Sequence, residues 1–243
     1  MTSPVNYTLT DIIGVIRIDN PPVNALSQAV RQGIMDALDV AAGDASEAVL
    51  IICDGRTFIA GADISEFGKP LQDPWLPEVV DRIEATAKPV VAAIHGTALG
   101  GGFEVALSAH YRCAVASAKI GLPEVKLGLL PGAGGTQRTP RLAGVEAALQ
   151  LMTSGAPIPA AQAVEVGLID NIIDGDLYEG ALAWTKELVT DGAAPRRTSE
   201  QEIPPFEPTV FDDFRGMLAK RARGQVAPQS IVDCVEGATT LPF

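Results

Sequence analysis

The chain has 243 residues, of which 47% are hydrophobic and 20% charged, so it can bury one sizeable core and is not a disordered tail. Its 18 basic and 30 acidic side chains give a net charge of -12, which repels nucleic acid and anionic membranes. Neither is expected as a partner.

The cysteines and histidines limit the compartment and the chemistry. Cys53, Cys113 and Cys234 show no CxxC spacing, and their odd number predicts a reducing compartment, for which the cytoplasm is the simplest choice. The first residues do not resemble a signal peptide, and no stretch reaches the roughly 18 apolar residues of a membrane span. With only His95 and His110 present, no metal site is expected.

The first half of the chain predicts strands that alternate with helices. Residues 7–10 and 12–19 form a hairpin with a turn around Asp11, and Ser27 caps a helix that ends near residue 40. The apolar run 48–53 is typical of a buried strand. A helix at 77–85, a strand at 89–94, a helix at 101–109 and a strand at 112–116 follow. This alternation predicts a mixed or parallel sheet.

The second half becomes mainly helical after residue 131. Helices are predicted at 134–142, 145–153, 160–165 and 178–190, with a short strand at 170–173. Residues 191–208 are polar and contain prolines, which predicts a linker, and helices at 211–222 and 228–238 come after it. We therefore divide the chain into a core at 1–190 and a linker with a partial helical C-terminal region at 191–243.

Two small-residue turns follow predicted strands. Gly100, Gly101 and Gly102 open a helix, although each glycine costs about 1 kcal/mol relative to alanine. They either admit a ligand carbonyl to free amides at the helix N-terminus or allow tight packing of the helix on a strand. The turn at 60–63 either receives a ligand or is an ordinary turn capped by Asp63. Both turns are expected at one crevice, because they follow neighbouring strands.

Motifs for several other chemistries are missing. There is no GxxxxGK[ST], no GxSxG, and residues 132–137 lack the last glycine of a dinucleotide-binding turn. Phosphoryl, hydride and serine chemistry are therefore disfavoured.

Two glutamates are candidates for proton transfer. Glu104 lies in the first turn of the helix that the glycines open, and Glu124 lies in a loop twenty residues later. Each has a simple alternative explanation, which is pairing with the helix dipole for Glu104 and a solvated acid for Glu124. Their apolar neighbours favour half-buried carboxyl groups with raised pKa values, which suits proton exchange near neutral pH.

Residues 60–63, 94–104 and 122–138 together resemble the crotonase (enoyl-CoA hydratase/isomerase) superfamily, and the resemblance runs from about residue 7 to residue 173. Residues 21–27, 227–230 and the short segment between Asp63 and Pro89 look most like the hydratase half of bifunctional β-oxidation enzymes. Those enzymes continue into a dehydrogenase, whereas this chain has no GxGxxG after a strand. A fragment, a separately encoded domain and an ordered portion of a longer protein are the alternatives.

The resemblance implies an α/β fold, a crotonase-like spiral of ββα units with a helical C-terminal region, assembled as trimers or dimers of trimers. It assigns the oxyanion hole to the amides of Ala62 and Gly101, and the acid and base to Glu104 and Glu124. Seven residues match positions of the CoA site: Ala25, Ala60, Gly61, Asp63, Ile64, Gly100 and Pro123. It implies no cofactor, because the coenzyme A thioester is the substrate.

The predicted function is reversible addition of water to trans-2-enoyl-CoA in fatty acid β-oxidation, with the acid and base roles of the two glutamates left open. An isomerase that moves a double bond, alone or in addition, and a silent acyl-CoA-binding scaffold are the alternatives. Arg56, Lys69 and Lys88 are candidate partners of the CoA phosphates. His95 and His110 are expected to pack or form hydrogen bonds rather than to catalyse.

Overall fold

The fold is built on a six-stranded sheet, seen in a computed structural model that describes residues 3–66, 68–70 and 72–243, with Ile64 described by its backbone only. The strands are β1 (Val5–Thr10), β2 (Ile13–Ile18), β3 (Ala48–Cys53), β4 (Val90–Ile94), β5 (Thr97–Leu99), β6 (Tyr111–Val115), β7 (Lys119–Gly121), β8 (Ile158–Pro159) and β9 (Asn171–Ile173). The main sheet has the order β1-β2-β3-β4-β6-β9. Its β1–β2 pair is antiparallel and the other pairs are parallel, as the alternation of elements predicts.

The helices lie between and after these strands. They are α1 (Gln28–Gly43), α2 (Leu76–Glu84), α3 (Gly101–Ser108), α4 (Gly135–Ala143), α5 (Val145–Ser154), α6 (Ala160–Glu165), α7 (Leu177–Thr190), α8 (Val210–Arg221) and α9 (Ala227–Thr240). Short 3₁₀ helices occur at Ile64–Glu66, Glu124–Leu127 and Thr198–Glu200. The predicted helices and strands are confirmed, with ends that differ by a few residues at most.

Local sequence explains the first elements. The hairpin turns at Asp11, which adopts a φ of 53°, and the Oγ of Ser27 accepts a hydrogen bond from the amide of Val30 to cap α1. All six residues of β3 are buried because apolar side chains cover both faces of the sheet. Val49 and Ile51 belong to the larger core with α1 and α2, whereas Leu50 packs on the opposite face, which α7 covers.

A second, three-stranded sheet of order β5-β7-β8 was not predicted from the sequence. Its strands have only two or three residues, which is too short for a recognisable alternation of apolar and polar positions. Two of its strands each follow a strand of the main sheet. Strand β5 follows β4 and leads into α3, and β7 follows β6. The amide of Gly100, directly after β5, donates to the carbonyl of Gly121 at the end of β7.

The C-terminal part packs on the core. Helix α9 contacts α4 and α5, and α8 contacts α5 and α9. Residues 191–209 run along the core rather than away from it, with the 3₁₀ helix Thr198–Glu200 against α4. In this segment the amide of Ser199 donates to Glu84 at 2.7 Å, and the carbonyl of Ala194 accepts from the hydroxyl of Tyr111 at 2.9 Å. The boundary between residues 190 and 191 stays a prediction.

Candidate active site

The three glycines at the start of α3 have different physical roles. Gly100 has a φ of 54°, a conformation that side chains rarely adopt. A Cβ on Gly102 would lie 2.2 Å from the carbonyl oxygen of Ile59, so this glycine allows the tight helix packing that was one of the two alternatives. A Cβ on Gly101 would lie 2.7 Å from a methyl carbon of Leu76 and 3.7 Å from the amide nitrogen of Ala62. Gly101 therefore faces the other small-residue turn.

The amides of Ala62 and Gly101 meet at the start of α3. A parallel bridge between Leu26 and Ala62 holds the turn, and the amide of Leu26 donates to the carbonyl of Gly61 at 2.9 Å. Within the described residues, neither the amide of Ala62 nor that of Gly101 donates a hydrogen bond. Free amides at a helix N-terminus are suited to an oxygen that gains negative charge, so the geometry is compatible with an oxyanion hole.

The Glu104 carboxylate accepts hydrogen bonds from the loop that precedes α4 and from the first residue of that helix. Its Oε1 accepts from the amide of Ala133 at 2.7 Å and from the amide of Gly135 at 2.8 Å, and the side chain is only 3% exposed. Burial raises the pKa of Glu104, while the two amides and the charge of Arg138 oppose this rise because they favour the ionised form. The described residues donate no hydrogen bond to the other oxygen, Oε2.

Glu124, the second acid of the site, differs from Glu104 in its hydrogen bonding. It begins the 3₁₀ helix Glu124–Leu127 directly after Pro123, and its Oε2 is buried without a hydrogen-bond partner among the described residues. Burial, and secondarily the charge of Glu104, raise the pKa of Glu124 to about 7. A carboxyl group with such a pKa exchanges a proton near neutral pH.

These four groups converge on one turn of the chain. A Cβ on Gly100 would lie 3.2 Å from the Oε1 of Glu124, and the next residue, Gly101, faces the amide of Ala62. Glu104 lies on the first turn of the same helix and interacts electrostatically with Glu124. Two carboxyl groups and two free amides therefore surround the N-terminus of α3.

A cleft of about 560 Å³ opens beside this turn. Ala62 and Asp63 line it on the side of the site, and Leu76 and the half-exposed Trp75 form an apolar wall. The two glutamates lie outside its lining. Arg31, Trp75 and Leu76 were not predicted as site residues, because their contribution depends on how α1 and the segment before α2 pack on the turn at 60–63.

The remaining predicted CoA positions have the following places. Ala60 donates its amide to the carbonyl of Val23, which brings the turn at 60–63 beside the segment that carries Ala25. Asp63 accepts from the amide of Ser65 at 2.9 Å and so caps its turn, as predicted. The side chain of Ile64 lies outside the described part of the chain. The binding roles of all seven positions stay predictions.

The predicted cations differ in location. Lys69 lines the cleft, and Arg56 is exposed but is not part of the cleft lining. The prediction for Lys88 is wrong, because its Nζ donates to the carbonyl oxygens of Ala41 and Asp44 at 2.5 and 3.1 Å. It ties the end of α1 to the start of β4.

The two histidines take part in hydrogen bonds to the backbone, as predicted. The Nδ1 of the buried His110 accepts from the amide of Val90, and its Nε2 lies 3.0 Å from the carbonyl oxygen of Glu84. The Nε2 of His95 lies 3.1 Å from the carbonyl oxygen of Gly55.

Comparison with known proteins identifies the family. The family model described as enoyl-CoA hydratase/isomerase matches residues 9–202. The crystal structure of an enoyl-CoA hydratase from Bacillus anthracis superposes with a TM-score of 0.72 at 27% identity and covers 97% of this chain and 89% of that chain. The chain belongs to the enoyl-CoA hydratase/isomerase family, and the predicted crotonase-like fold is confirmed.

Curated relatives differ in length. A peroxisomal bifunctional enzyme from Danio rerio is 46% identical over 235 residues, which cover 95% of this chain and 32% of that protein. A probable enoyl-CoA hydratase from Bacillus subtilis is 43% identical over 173 residues, which cover 68% of this chain and 67% of that protein. The chain spans about a third of the length of the bifunctional relatives, and the predicted resemblance to such enzymes is confirmed.

Membrane and metal predictions concern the whole chain, of which the structure describes all but four residues. In that part no helix is long and apolar enough to cross a membrane, and no three His, Cys, Asp or Glu side chains form a metal-binding group. The three cysteines are free thiols.

Proposed function

We propose that this chain adds water reversibly to trans-2-enoyl-CoA thioesters. The observation that carries the proposal is the convergence of two carboxyl groups and two free amides on the N-terminal turn of α3. Membership in the enoyl-CoA hydratase/isomerase family supports the same chemistry. Relatives named for fatty acid oxidation, one of them for β-oxidation, support a place in that pathway.

The amides of Ala62 and Gly101 hold the thioester oxygen in this proposal. Negative charge gathers on this oxygen as water attacks the conjugated system, and fixed N–H donors stabilise that charge without reorganising. Each such donor contributes about 2.7 to 4 kcal/mol to catalysis in comparable sites. The positive end of the α3 dipole adds to the effect.

The surroundings of the two glutamates support a division of roles that the sequence left open. Two N–H donors and the nearby Arg138 favour the ionised form of Glu104, whereas the Oε2 of Glu124 has no hydrogen-bond partner among the described residues. Glu104 removes a proton from water while the water oxygen bonds to C3. Glu124, with a pKa near 7, donates its proton to C2. After the addition Glu104 carries the proton from water and Glu124 is ionised, and proton exchange with solvent restores the starting state.

The cleft beside Ala62 is the proposed entrance for coenzyme A. Its wall of Trp75 and Leu76 offers apolar contact, and Lys69, one of two cations in the lining, can meet a phosphate. Such a local contact is needed because the net charge of -12 repels a polyanion. Coenzyme A is thus part of the substrate, and no separate cofactor is proposed.

The compartment and the assembly also remain proposals. We propose a cytoplasmic protein, on the ground of its unpaired thiols, although several relatives are named peroxisomal. We propose a homotrimer or a dimer of trimers, as the family resemblance implies. Light scattering coupled to gel filtration tests the assembly, and a monomer at micromolar concentration would contradict it.

A direct assay tests the proposed reaction. Hydration of crotonyl-CoA and of longer 2-enoyl-CoA substrates removes the absorbance of the conjugated enoyl thioester, and the 3-hydroxyacyl-CoA product is identified by mass. We expect turnover with at least one chain length. Binding of these substrates without turnover would contradict the hydratase and favour the silent scaffold.

Isomerase activity is a second candidate because one carboxyl oxygen of Glu124 has no partner in the part of the chain that the structure describes, which suits a proton shuttle between two carbons. A 3-enoyl-CoA substrate tests it. Isomerisation to the 2-enoyl-CoA without later addition of water would replace the hydratase proposal.

A further inference from the structure

Arg138 is a buried cation behind the site, and the proposed chemistry uses only its charge near Glu104. Its side chain is 1% exposed and lies on the second turn of α4. Its Nη2 contacts Glu84 Oε2 at 2.6 Å and Asp81 Oδ1 at 3.0 Å, and its Nε donates to Glu84 at 3.1 Å. The other oxygen of Glu84 accepts from the amide of Ser199 at 2.7 Å. An arginine buried at this depth requires such partners, because desolvating an unpaired charge is costly.

The remaining contact of Arg138 leads to the catalytic site. Its Nη1 donates to the carbonyl oxygen of Ala133 at 3.1 Å, and the amide of the same residue donates to Glu104 at 2.7 Å. A hydrogen bond to the carbonyl of a residue fixes the loop that carries its amide.

The glycines of this loop make the arrangement possible. A Cβ on Gly134 would lie 2.2 Å from Arg138 Nη1, and a Cβ on Gly135 would lie 3.0 Å from Glu104 Oε1. Gly134 therefore leaves room for the guanidinium, and Gly135 leaves room for the carboxylate. Residues 132–137, which lack the last glycine of a dinucleotide-binding turn, thus fit between these two charged groups.

We propose that Arg138, anchored by Glu84, is a positioning residue that holds the Ala133–Gly135 loop against Glu104 and keeps this carboxylate oriented and ionised for catalysis. The catalytic part of this inference rests on the proposed function. Arg138 acts through the loop and through its charge, and is not itself expected to touch the substrate.

Several charged groups surround Glu104 and Arg138, and a test must separate their effects from that of Arg138. Glu104 interacts electrostatically with Arg138 in α4 and with Glu124 in the 3₁₀ helix Glu124–Leu127. Arg138 is flanked by Asp81 and Glu84 from α2, by Arg141 from its own helix, and by Arg197, which lines a surface pocket with both acids. Arg141 offers a matched control. Like Arg138, it is buried and lies against the ring of Phe243, but it donates to the carbonyls of Gln137 and Ala238 instead of the Ala133–Gly135 loop.

The experiment compares hydration of crotonyl-CoA by Arg138→Met, Arg138→Lys and Arg141→Met across pH. In Arg138→Met we expect kcat to fall about tenfold with KM within about twofold of wild type, because orientation is lost after substrate has bound. On the acidic side of the profile, the midpoint of the rise in kcat moves to a pH about one unit higher, because a positive charge near Glu104 is gone. Arg138→Lys keeps this midpoint in place but lowers kcat, and Arg141→Met changes neither.

A double variant and a measurement of thermal stability separate an effect on folding from an effect on catalysis. If Arg138→Met fails to fold because Glu84 is left unpaired, Glu84→Gln/Arg138→Met replaces it and removes both charges. In that folded double variant, a kcat and an acidic midpoint equal to those of wild type would overturn the proposal. A loss of thermal stability with an unchanged pH profile would do so too, since that is the signature of a structural role alone.

The positioning can also be measured if the wild-type protein hydrates no enoyl-CoA, an outcome that defeats the proposed function. The carboxyl ¹³C shift of Glu104 is then followed against pH in a Glu124→Gln background, where only one acid of the pair titrates. A higher midpoint after Arg138→Met, but not after Arg141→Met, supports the electrostatic role of Arg138. An unchanged midpoint contradicts it.

Discussion

The amide of Gly135 donates to the Glu104 carboxylate at 2.8 Å, although 31 positions separate the two residues in sequence. Gly135 is the first residue of α4, so the helix directs its N-terminus at the proposed base. A free N–H and the helix dipole both favour a negative charge at this place. The contact lowers the cost of ionising a carboxyl group that is almost fully buried.

Gly135→Ala is expected to damage this contact. The new Cβ would lie 2.8 Å from Pro131 Cβ and 3.0 Å from Glu104 Oε1, so the loop or the carboxylate must shift. Misplacement by about an ångström costs roughly 10²-fold in rate, and overpacking destabilises by about 1 to 3 kcal/mol. The control is Gly132→Ala in the same loop, where no heavy atom of the described residues lies within 4 Å of the added Cβ. Equal kcat in both variants would contradict the prediction.

Glu104→Gln and Glu124→Gln are each expected to lower kcat for hydration by about 10² to 10⁴, because each removes one proton-transfer group. Both variants should bind crotonyl-CoA, since the amides of Ala62 and Gly101 are untouched. Stopped-flow hydration and isothermal titration calorimetry measure the two effects. Glu165→Gln, at an exposed position in α6, serves as the control. A wild-type rate in either glutamate variant would rule out the dyad.

Gly101→Ala tests the proposed oxyanion hole. Its methyl group would stand 3.7 Å from the amide nitrogen of Ala62 and 2.7 Å from Leu76 Cδ2, in the space where the thioester oxygen is expected. Loss of one donor contact predicts a fall in kcat of about 10² to 10³. Gly216→Ala, with open space around its Cβ in α8, should keep the wild-type rate and gain about 1 kcal/mol of stability. Full activity of Gly101→Ala would place the oxyanion elsewhere.

The pH dependence of kcat/KM should report the acid of the dyad in the free enzyme. The pKa of Glu124 is raised to about 7, and its proton is needed for transfer to C2. We therefore expect kcat/KM to fall about tenfold per pH unit above pH 7. Circular dichroism over the same range verifies that the fold persists. A constant kcat/KM between about pH 6 and 9 would assign proton donation to another group.

The same shift predicts how stability changes with pH. Because the folded pKa of Glu124 lies above its unfolded value of 4.5, its contribution to stability is complete below about pH 4.5 and is lost as pH rises through about 7. Wild type should lose about 3 kcal/mol from this group by pH 8. Glu124→Gln lacks this loss, so its free energy of unfolding relative to wild type should rise between pH 5 and pH 8. Urea titrations at both values measure it, and a difference independent of pH would refute the assignment.

The sequence by itself determined the strands and helices of the main sheet, the two small-residue turns and the pair of glutamates. Buried runs such as β3, caps such as Ser27 and the glycines before α3 are local signals, and local preferences act before the chain folds. These signals, together with the resemblance they carry, were sufficient for the family and the fold.

Only the tertiary structure decided which distant groups meet. It gave Glu104 two amides at the start of α4 and the loop before it, and it paired Arg138 with Glu84 across 54 positions. It left Glu124 Oε2 without a partner among residues 3–66, 68–70 and 72–243. It also showed that Lys88 ties α1 to β4 and that Trp75 lines the cleft. The physical reason is that the ionisation and orientation of a buried group depend on its neighbours in space, which local sequence patterns do not specify.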